Sequence, residues 1–278
     1  MSRSTLVVIG AGGMGQAVAR RIGSRHRLLL ADHDTVALDA AAERLRAEGY
    51  EVATQPVDVS SREAVHALAE RAAALGPVTR LVHTAGLSPV QADVRAVLAV
   101  DLLGVALVVE EFTEVVQPGG AGVVIASMAG YNYTAALSPE QETALATTPA
   151  DELLGLPFAA EDTFAHSGAA YSFAKRANQL RMRHASVTWG ARGARINSVS
   201  PGIIATPMGQ AELDNSSSGR YMRAALEGSN AGRLGTPEDI AHAVDFLLGP
   251  AAGFISGTDL LVDGGVTAAT QAGHIAFT

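Results

Sequence analysis

Cysteine is absent from the 278 residues, so the chain can form no disulfide and no thiolate metal site, and its redox compartment stays open. Lysine is nearly absent. Of twenty Lys and Arg side chains only Lys175 is a lysine, and the formal net charge is −8. The arginines are scattered, so no basic stripe follows a phosphate backbone, which argues against a nucleic-acid partner. Long apolar runs are also missing. The longest, Ala96 to Val109, contains Asp101 and falls short of a bilayer span. The N-terminal apolar stretch, Leu6 to Ile9, is too short for a signal h-region. These absences predict a cytoplasmic protein with no membrane partner. The eight histidines show no metal-ligand spacing, so no metal site is expected.

What is present is an apolar fraction of 48%, ample for a sizeable core. Short apolar runs bounded by turn residues alternate with helical patterns, the sign of βαβ units and a parallel sheet. Strands are predicted at Thr5–Gly10, Arg27–Ala31, Glu51–Gln55, Arg80–Thr84, Gly122–Ala126, Arg195–Val199 and Asp259–Val262. Helices are predicted at Met14–Ser24, Thr35–Glu48, Arg62–Leu75, Gln91–Val116, Ala169–Trp189 and Pro237–Leu248. The expected fold is α/β: one Rossmann domain over 1–278 with a doubly wound, seven-stranded parallel sheet. Two stretches break the rhythm. Residues 131–168 carry the helix starts Ser138-Pro139-Glu140 and Thr148-Pro149-Ala150, and read as a helical insertion. Residues 206–236, polar around Asn215-Ser216-Ser217-Ser218-Gly219, read as a mobile loop over a site.

After the first strand comes Gly10-Ala11-Gly12-Gly13-Met14-Gly15, opening a helix. Such glycines let the backbone approach a pyrophosphate whose charge the helix N-terminus meets. Asp32 stands at the end of the second strand, the offset at which an acid binds a ribose diol. A carboxylate there repels a 2′-phosphate, and His33 rather than an arginine follows it. NAD is therefore predicted over NADP.

The lone lysine closes Tyr171-Ser172-Phe173-Ala174-Lys175. On a helix, i and i+4 share a face, which brings the ammonium to the phenol. A neighbouring cation favours the phenolate and is expected to draw Tyr171 toward a pKa useful near neutrality.

With these residues in order, the chain resembles the short-chain dehydrogenase/reductase family over nearly its whole length. Asp58-Val59 looks like the family's adenine-contacting pair, and His83-Thr84-Ala85-Gly86 stands where the family usually has Asn-Asn-Ala-Gly. Ser127, Tyr171 and Lys175 match the catalytic residues. Pro201-Gly202-Ile203-Ile204-Ala205-Thr206 looks like the nicotinamide-binding turn, and Asp263-Gly264-Gly265 closes the last strand as the family does. The resemblance implies that Tyr171 exchanges the alcohol proton, Ser127 holds the substrate oxygen, and Lys175 binds the nicotinamide ribose. Three departures stand out. The glycine loop is a residue shorter than the family's, with Ile9 for threonine. Asp101 replaces the asparagine that often holds a water near the lysine, and is placed in the relay, holding that water or pairing with Lys175. The segment from Ser127 to Tyr171 is long, as in the 3α-hydroxysteroid dehydrogenase/carbonyl reductase branch.

The reading is an NAD-dependent oxidoreductase for a secondary alcohol or ketone, apolar and steroid-like or cyclic. Ser88, Met128, Phe158, Phe164, Met208 and Met222 are candidate lining residues. Ser127 lacks the glycines of a hydrolase elbow. An epimerase or dehydratase relative, or a dinucleotide-binding regulator without turnover, are the alternatives. The resemblance further implies a homodimer or homotetramer through the helices at Gln91–Val116 and Ala169–Trp189.

Overall fold

The computed structural model describes residues 3–215 and 219–275. One sheet of seven strands runs through it in the order β3-β2-β1-β4-β5-β6-β7, every neighbouring pair parallel. The strands are β1 (Thr5–Ile9), β2 (Arg27–Asp32), β3 (Val52–Pro56), β4 (Val78–His83), β5 (Val116–Ile125), β6 (Arg195–Pro201) and β7 (Asp259–Val262). The inner strands are apolar on both faces, Thr-Leu-Val-Val-Ile in β1 being wholly buried, because helices cover the sheet on both sides. Against one face pack α1 (Gly13–Ile22), α2 (Thr35–Ala47) and α11 (Pro237–Leu248). Against the other pack α3 (Arg62–Leu75), α5 (Val105–Val115) and α8 (Ser167–Ala191), with Trp189 and Phe112 fully buried. The strand order reverses between β1 and β4, so both strands' C-terminal ends open onto one crevice, the usual ligand position in such sheets.

All seven predicted strands form, with bounds moved by a few residues. β5 starts early, at Val116, because an irregular stretch through Gly119 and Gly120 precedes its regular pairing at Ala121. The helix predicted over Gln91–Val116 is broken. It consists of α4 (Val94–Val97), a π-helical stretch over Leu98–Gly104, and α5. The π stretch carries Asp101 inward, and its last residue, Gly104, lies so close to Val59 that an added Cβ would stand 2.8 Å from Val59 Cγ2.

In the 131–168 stretch lie α6 (Pro139–Thr147) and α7 (Ala150–Leu153), with α6 begun by a capping box of Ser138 and Gln141 as the sequence indicated. The loop predicted over 206–236 is instead largely helical, as α9 (Pro207–Asp214) and α10 (Gly219–Gly228). Thr206 caps α9, with Pro207 at its first position, and Met222 and Ala225 give α10 a buried face. Ser216, Ser217 and Ser218 fall outside the described residues. A short α12 (Val266–Gln271) follows β7, and among the described residues no helix is long and apolar enough to cross a membrane.

Candidate functional site

The glycine turn after β1 is shaped by two close approaches. Gly10 has φ +105°, and a Cβ there would lie 2.3 Å from Thr84 Oγ1; one on Gly15 would lie 1.9 Å from the Gly10 carbonyl oxygen. Only glycine lets α1 begin this tightly against the strand end. Gly12, the N-cap of α1, has no side chain to satisfy the first amides, whereas Asp34 and Ser61 do this for α2 and α3. A Cβ on Gly12 would meet nothing within 4 Å, so open space faces the uncapped start. Free backbone amides at an open helix start are groups that can meet an anion. Beside it the Asp32 carboxylate is fixed by two backbone amides, accepting from Ala11 N at 2.6 Å and Asp34 N at 2.9 Å.

The adenine-side pair divides. Asp58 is exposed and accepts from Ser60 N and Oγ, which hold its carboxyl below the usual range. Val59 is buried against Gly104 and belongs to the core. Ala85 N donates to Ile9 O at 3.0 Å, bringing the strand after β4 alongside the glycine turn.

The other predicted residues converge. Met14, Gly86, Asp101, Ser127, Tyr171, Lys175, Pro201, Gly202, Ile204 and Thr206 all line one cavity of about 280 Å³. Gly13 joins its rim, where an added Cβ would lie 3.2 Å from Thr206 Cγ2. One turn of α8 sets the Lys175 ammonium 5.3 Å from the Tyr171 ring centre. Ser127 leaves β5 facing the phenol and accepts a hydrogen bond from Ala129 N at 3.1 Å. Lys175, only 4% exposed, lies 2.9 Å from Asp101 Oδ1, and donates to Ile125 O at 3.5 Å. Asp101 is wholly buried; its Oδ2 accepts from Leu87 N at 3.0 Å and its carbonyl accepts from Asn178 Nδ2 at 2.9 Å. A Cβ on Gly86 would come 2.6 Å from Asp101 Oδ1 and 3.4 Å from Lys175 Nζ, so the backbone roofs the pair closely.

Burial governs the electrostatics. His83, buried at the end of β4 with no hydrogen-bond partner on either ring nitrogen, is pushed down to about 3, first by desolvation and then by Lys175. It is neutral near pH 7. Tyr171 departs from the sequence expectation: its pKa is raised, not lowered. Desolvation is the largest cause, Asp101 and Glu212 push the same way, and Lys175 and the Ser127 hydroxyl oppose them. Lys175 stays charged, its pKa raised because Asp101 and Tyr171 outweigh the opposing effect of burial, which is the largest single cause.

Toward α9 and α10 the cavity is walled by Met128, Met208 and Met222, as the sequence indicated. Phe158 and Phe164 are not wall residues. Both pack on Phe173 in the core, with ring centres 6.3 and 5.0 Å away. Glu212, which sequence reasoning missed, reaches the cavity from α9; Ser88 Oγ donates to it at 2.6 Å, and burial raises its carboxyl pKa. Its signal was the helix start Thr206-Pro207, which sets the turn carrying residue 212.

The open start of α1 at the reversal of strand order, leading into a pocket that holds Tyr171 and Lys175, lies at the usual ligand position of a doubly wound sheet. Residues 4–139 match the family model described as short chain dehydrogenase, and residues 141–267 the one described as enoyl-(acyl carrier protein) reductase. The chain is 41% identical to the short-chain dehydrogenase/reductase bsc3 of Alternaria brassicicola, over 96% of this chain and 97% of that protein. It is 32% identical to the galactitol 2-dehydrogenase (L-tagatose-forming) of Cereibacter sphaeroides, covering 94% and 93%. The 3-alpha-hydroxysteroid dehydrogenase from Pseudomonas sp. B-0831, solved with NADH, superposes with a TM-score of 0.78 at 28% identity, covering 97% and 99%. The chain belongs to the short-chain dehydrogenase/reductase family, oxidoreductases of alcohols and ketones that use a nicotinamide dinucleotide.

Proposed function

We propose that the protein is an NAD-dependent dehydrogenase/reductase that interconverts a largely apolar secondary alcohol and its ketone. The convergence of Ser127, Tyr171 and Lys175 on a cavity that also touches Gly202 and Thr206 carries this reading. The residues fit the cofactor. Open space over the uncapped start of α1 suits a pyrophosphate on the amides around Gly12, Gly13 and Gly15, with Asp32 on the adenosine ribose hydroxyls. Asp58, Ala85 and Gly86 border the adenine side, and Pro201, Gly202, Ile204 and Thr206 the nicotinamide side. When bound, the dinucleotide supplies or takes the hydride.

The chain's own residues handle the oxygen. Ser127 donates to the substrate oxygen, Tyr171 exchanges its proton, and Lys175 supplies a fixed positive charge and a donor for the nicotinamide ribose. The whole chain acts as one binding and catalytic unit, with α6 bracing α8 through Glu142 and Arg176, and α9 and α10 walling the cavity. Asp32 favours NAD, since its carboxylate, already fixed by two amides, repels a 2′-phosphate. The methionine wall favours a cyclic or steroid-like body.

The test is a screen of cyclic, steroid and polyol secondary alcohols with NAD and NADP, followed by nicotinamide absorbance. Steady reduction of NAD by a bulky cyclic alcohol is expected. Cofactor binding without turnover of any alcohol or ketone would favour the regulator reading instead.

A further inference from the structure

Lys175 is the charge on which the family's chemistry turns, and in this chain it is tied to a carboxylate. The Asp101 Oδ1 to Lys175 Nζ distance is 2.9 Å, and both side chains are out of water. The π-helical stretch aims Asp101 inward, Leu87 N holds its second oxygen, and the Gly86 backbone packs close to both side chains. We propose that Asp101 is an electrostatic positioning residue that cancels part of the Lys175 charge felt by Tyr171, so that Tyr171 stays a protonated donor near neutral pH and the enzyme works as a carbonyl reductase there.

The geometry makes the cancellation unavoidable. An ammonium 5.3 Å from the phenol ring stabilises a phenolate, but a carboxylate in contact with that ammonium makes a dipole of it, whose field falls off faster than a charge's. Among the described residues, Lys175 is the cation that acts on Tyr171. Glu212 faces it from α9 with a second carboxyl, Ser127 from β5 with a neutral hydroxyl, and His83 of β4, near Lys175, is neutral. Burial, the largest influence on Tyr171, and the two carboxylates together favour O–H. In the reductive direction the ketone carbon receives hydride from the reduced dinucleotide and its oxygen receives the Tyr171 proton. The C=O π bond is lost, C–H and O–H bonds form, the dinucleotide is left oxidised, and the Tyr171 phenolate is reprotonated from solvent.

The proposal rests on the dehydrogenase/reductase reading, and two measurements keep the failures apart. The first is the pH profile of kcat/KM for alcohol oxidation by wild type and Asp101→Asn. Removing the carboxylate unmasks Lys175, so the acid limb of the variant moves to lower pH. A one-unit move is tenfold in rate, so oxidation on that limb rises about tenfold relative to the variant's own plateau. Unchanged limbs, or a move to higher pH, overturn the proposal. A merely structural role for Asp101 lowers rates without moving the limb.

The second measurement needs no turnover. Ultraviolet difference titration against a Tyr171→Phe counterpart isolates the Tyr171 phenolate in wild type and in the double variant Asp101→Asn with Lys175→Met. Burial raises Tyr171 in both, so the reading is the difference between them. If Asp101 cancels the Lys175 charge, removing the whole pair leaves the ionisation within about half a pH unit of wild type; a rise of about a unit or more shows Lys175 acting uncancelled and overturns the proposal. Because the double variant leaves no lone buried charge, this arm decides the matter if Asp101→Asn alone does not fold.

Discussion

At Lys175 the reason for lysine rather than arginine is visible in the space around it. Its Nζ sits 2.9 Å from Asp101 Oδ1 and 3.4 Å from where a Cβ on Gly86 would be, a gap sized for a point charge and not for a planar fork. Lys175→Arg is therefore expected to lose roughly a hundredfold or more in kcat/KM, as is Tyr171→Phe, the cost of removing an electrostatic or proton-transfer partner. Steady-state kinetics on folded variants checks both; near-wild-type turnover by Lys175→Arg would show that charge alone suffices. Asp32 makes a second prediction at this scale. Asp32→Ala with His33→Arg should shift preference toward NADP, read by fluorescence titration of both dinucleotides; a wild type that binds NADP more tightly refutes the assignment. Tyr171, Lys175 and Asp32 were legible in the sequence because each lies at a fixed offset along one helix or one βαβ unit. Glu212 was not, because it reaches Ser88 across the fold, 124 residues away in sequence. The sense of the Tyr171 shift was missed for the same reason: Asp101 and Glu212 come from other elements, and burial is a property of packing.

Helix ends were the best-written elements and helix interiors the worst. Ser138-Pro139 and Thr236-Pro237 each announce a start, and both form capping boxes. The π-helical stretch over Leu98–Gly104 was invisible, since the apolar run on either side of Asp101 suits a continuous α-helix; only the contacts of Asp101 and Gly104 in the fold select the extra residue per turn. The cap of α11 can be tested. Thr236 Oγ1 accepts from Asp239 N, while Asp239 takes a bidentate bond from Arg233 and one from Thr236 N. Thr236→Ala should cost about 1 kcal/mol, seen as a fall in Tm of about 2 °C. Arg233 and the cap amide hold the Asp239 carboxyl well below its usual range. Its stabilisation is then complete above the ordinary carboxylate pKa and fades as pH falls through the lowered folded value. Asp239→Asn should accordingly flatten the acid side of the stability curve; a loss equal at pH 3 and pH 7 would contradict this.

For the whole molecule, the question is which face meets a second copy. The helices at Gln91–Val116 and Ala169–Trp189 were expected to form that interface, but this chain covers part of the second, α8, with its own residues. Arg176 of α8 pairs with Glu142 of α6 at 2.5 Å, and Arg181 donates to the carbonyls of Leu145 and Thr148 and to Glu110. These contacts bury Arg176 and Arg181 within a single chain. Among the described residues β7 ends the sheet with no strand beyond it, and Phe246 near the end of α11 and Phe254 on the connection from α11 to β7 are among the most exposed large apolar side chains described. The homo-oligomer is therefore expected to assemble across the β7 edge rather than through the full α8 face. Light scattering at micromolar concentration should give a dimer or larger for the wild type. Phe246→Ser with Phe254→Ser should shift it toward monomer while leaving the circular dichroism unchanged. If instead that double variant keeps its size and Arg176→Ala changes it, the second copy sits on α8 after all and the insertion is part of the contact.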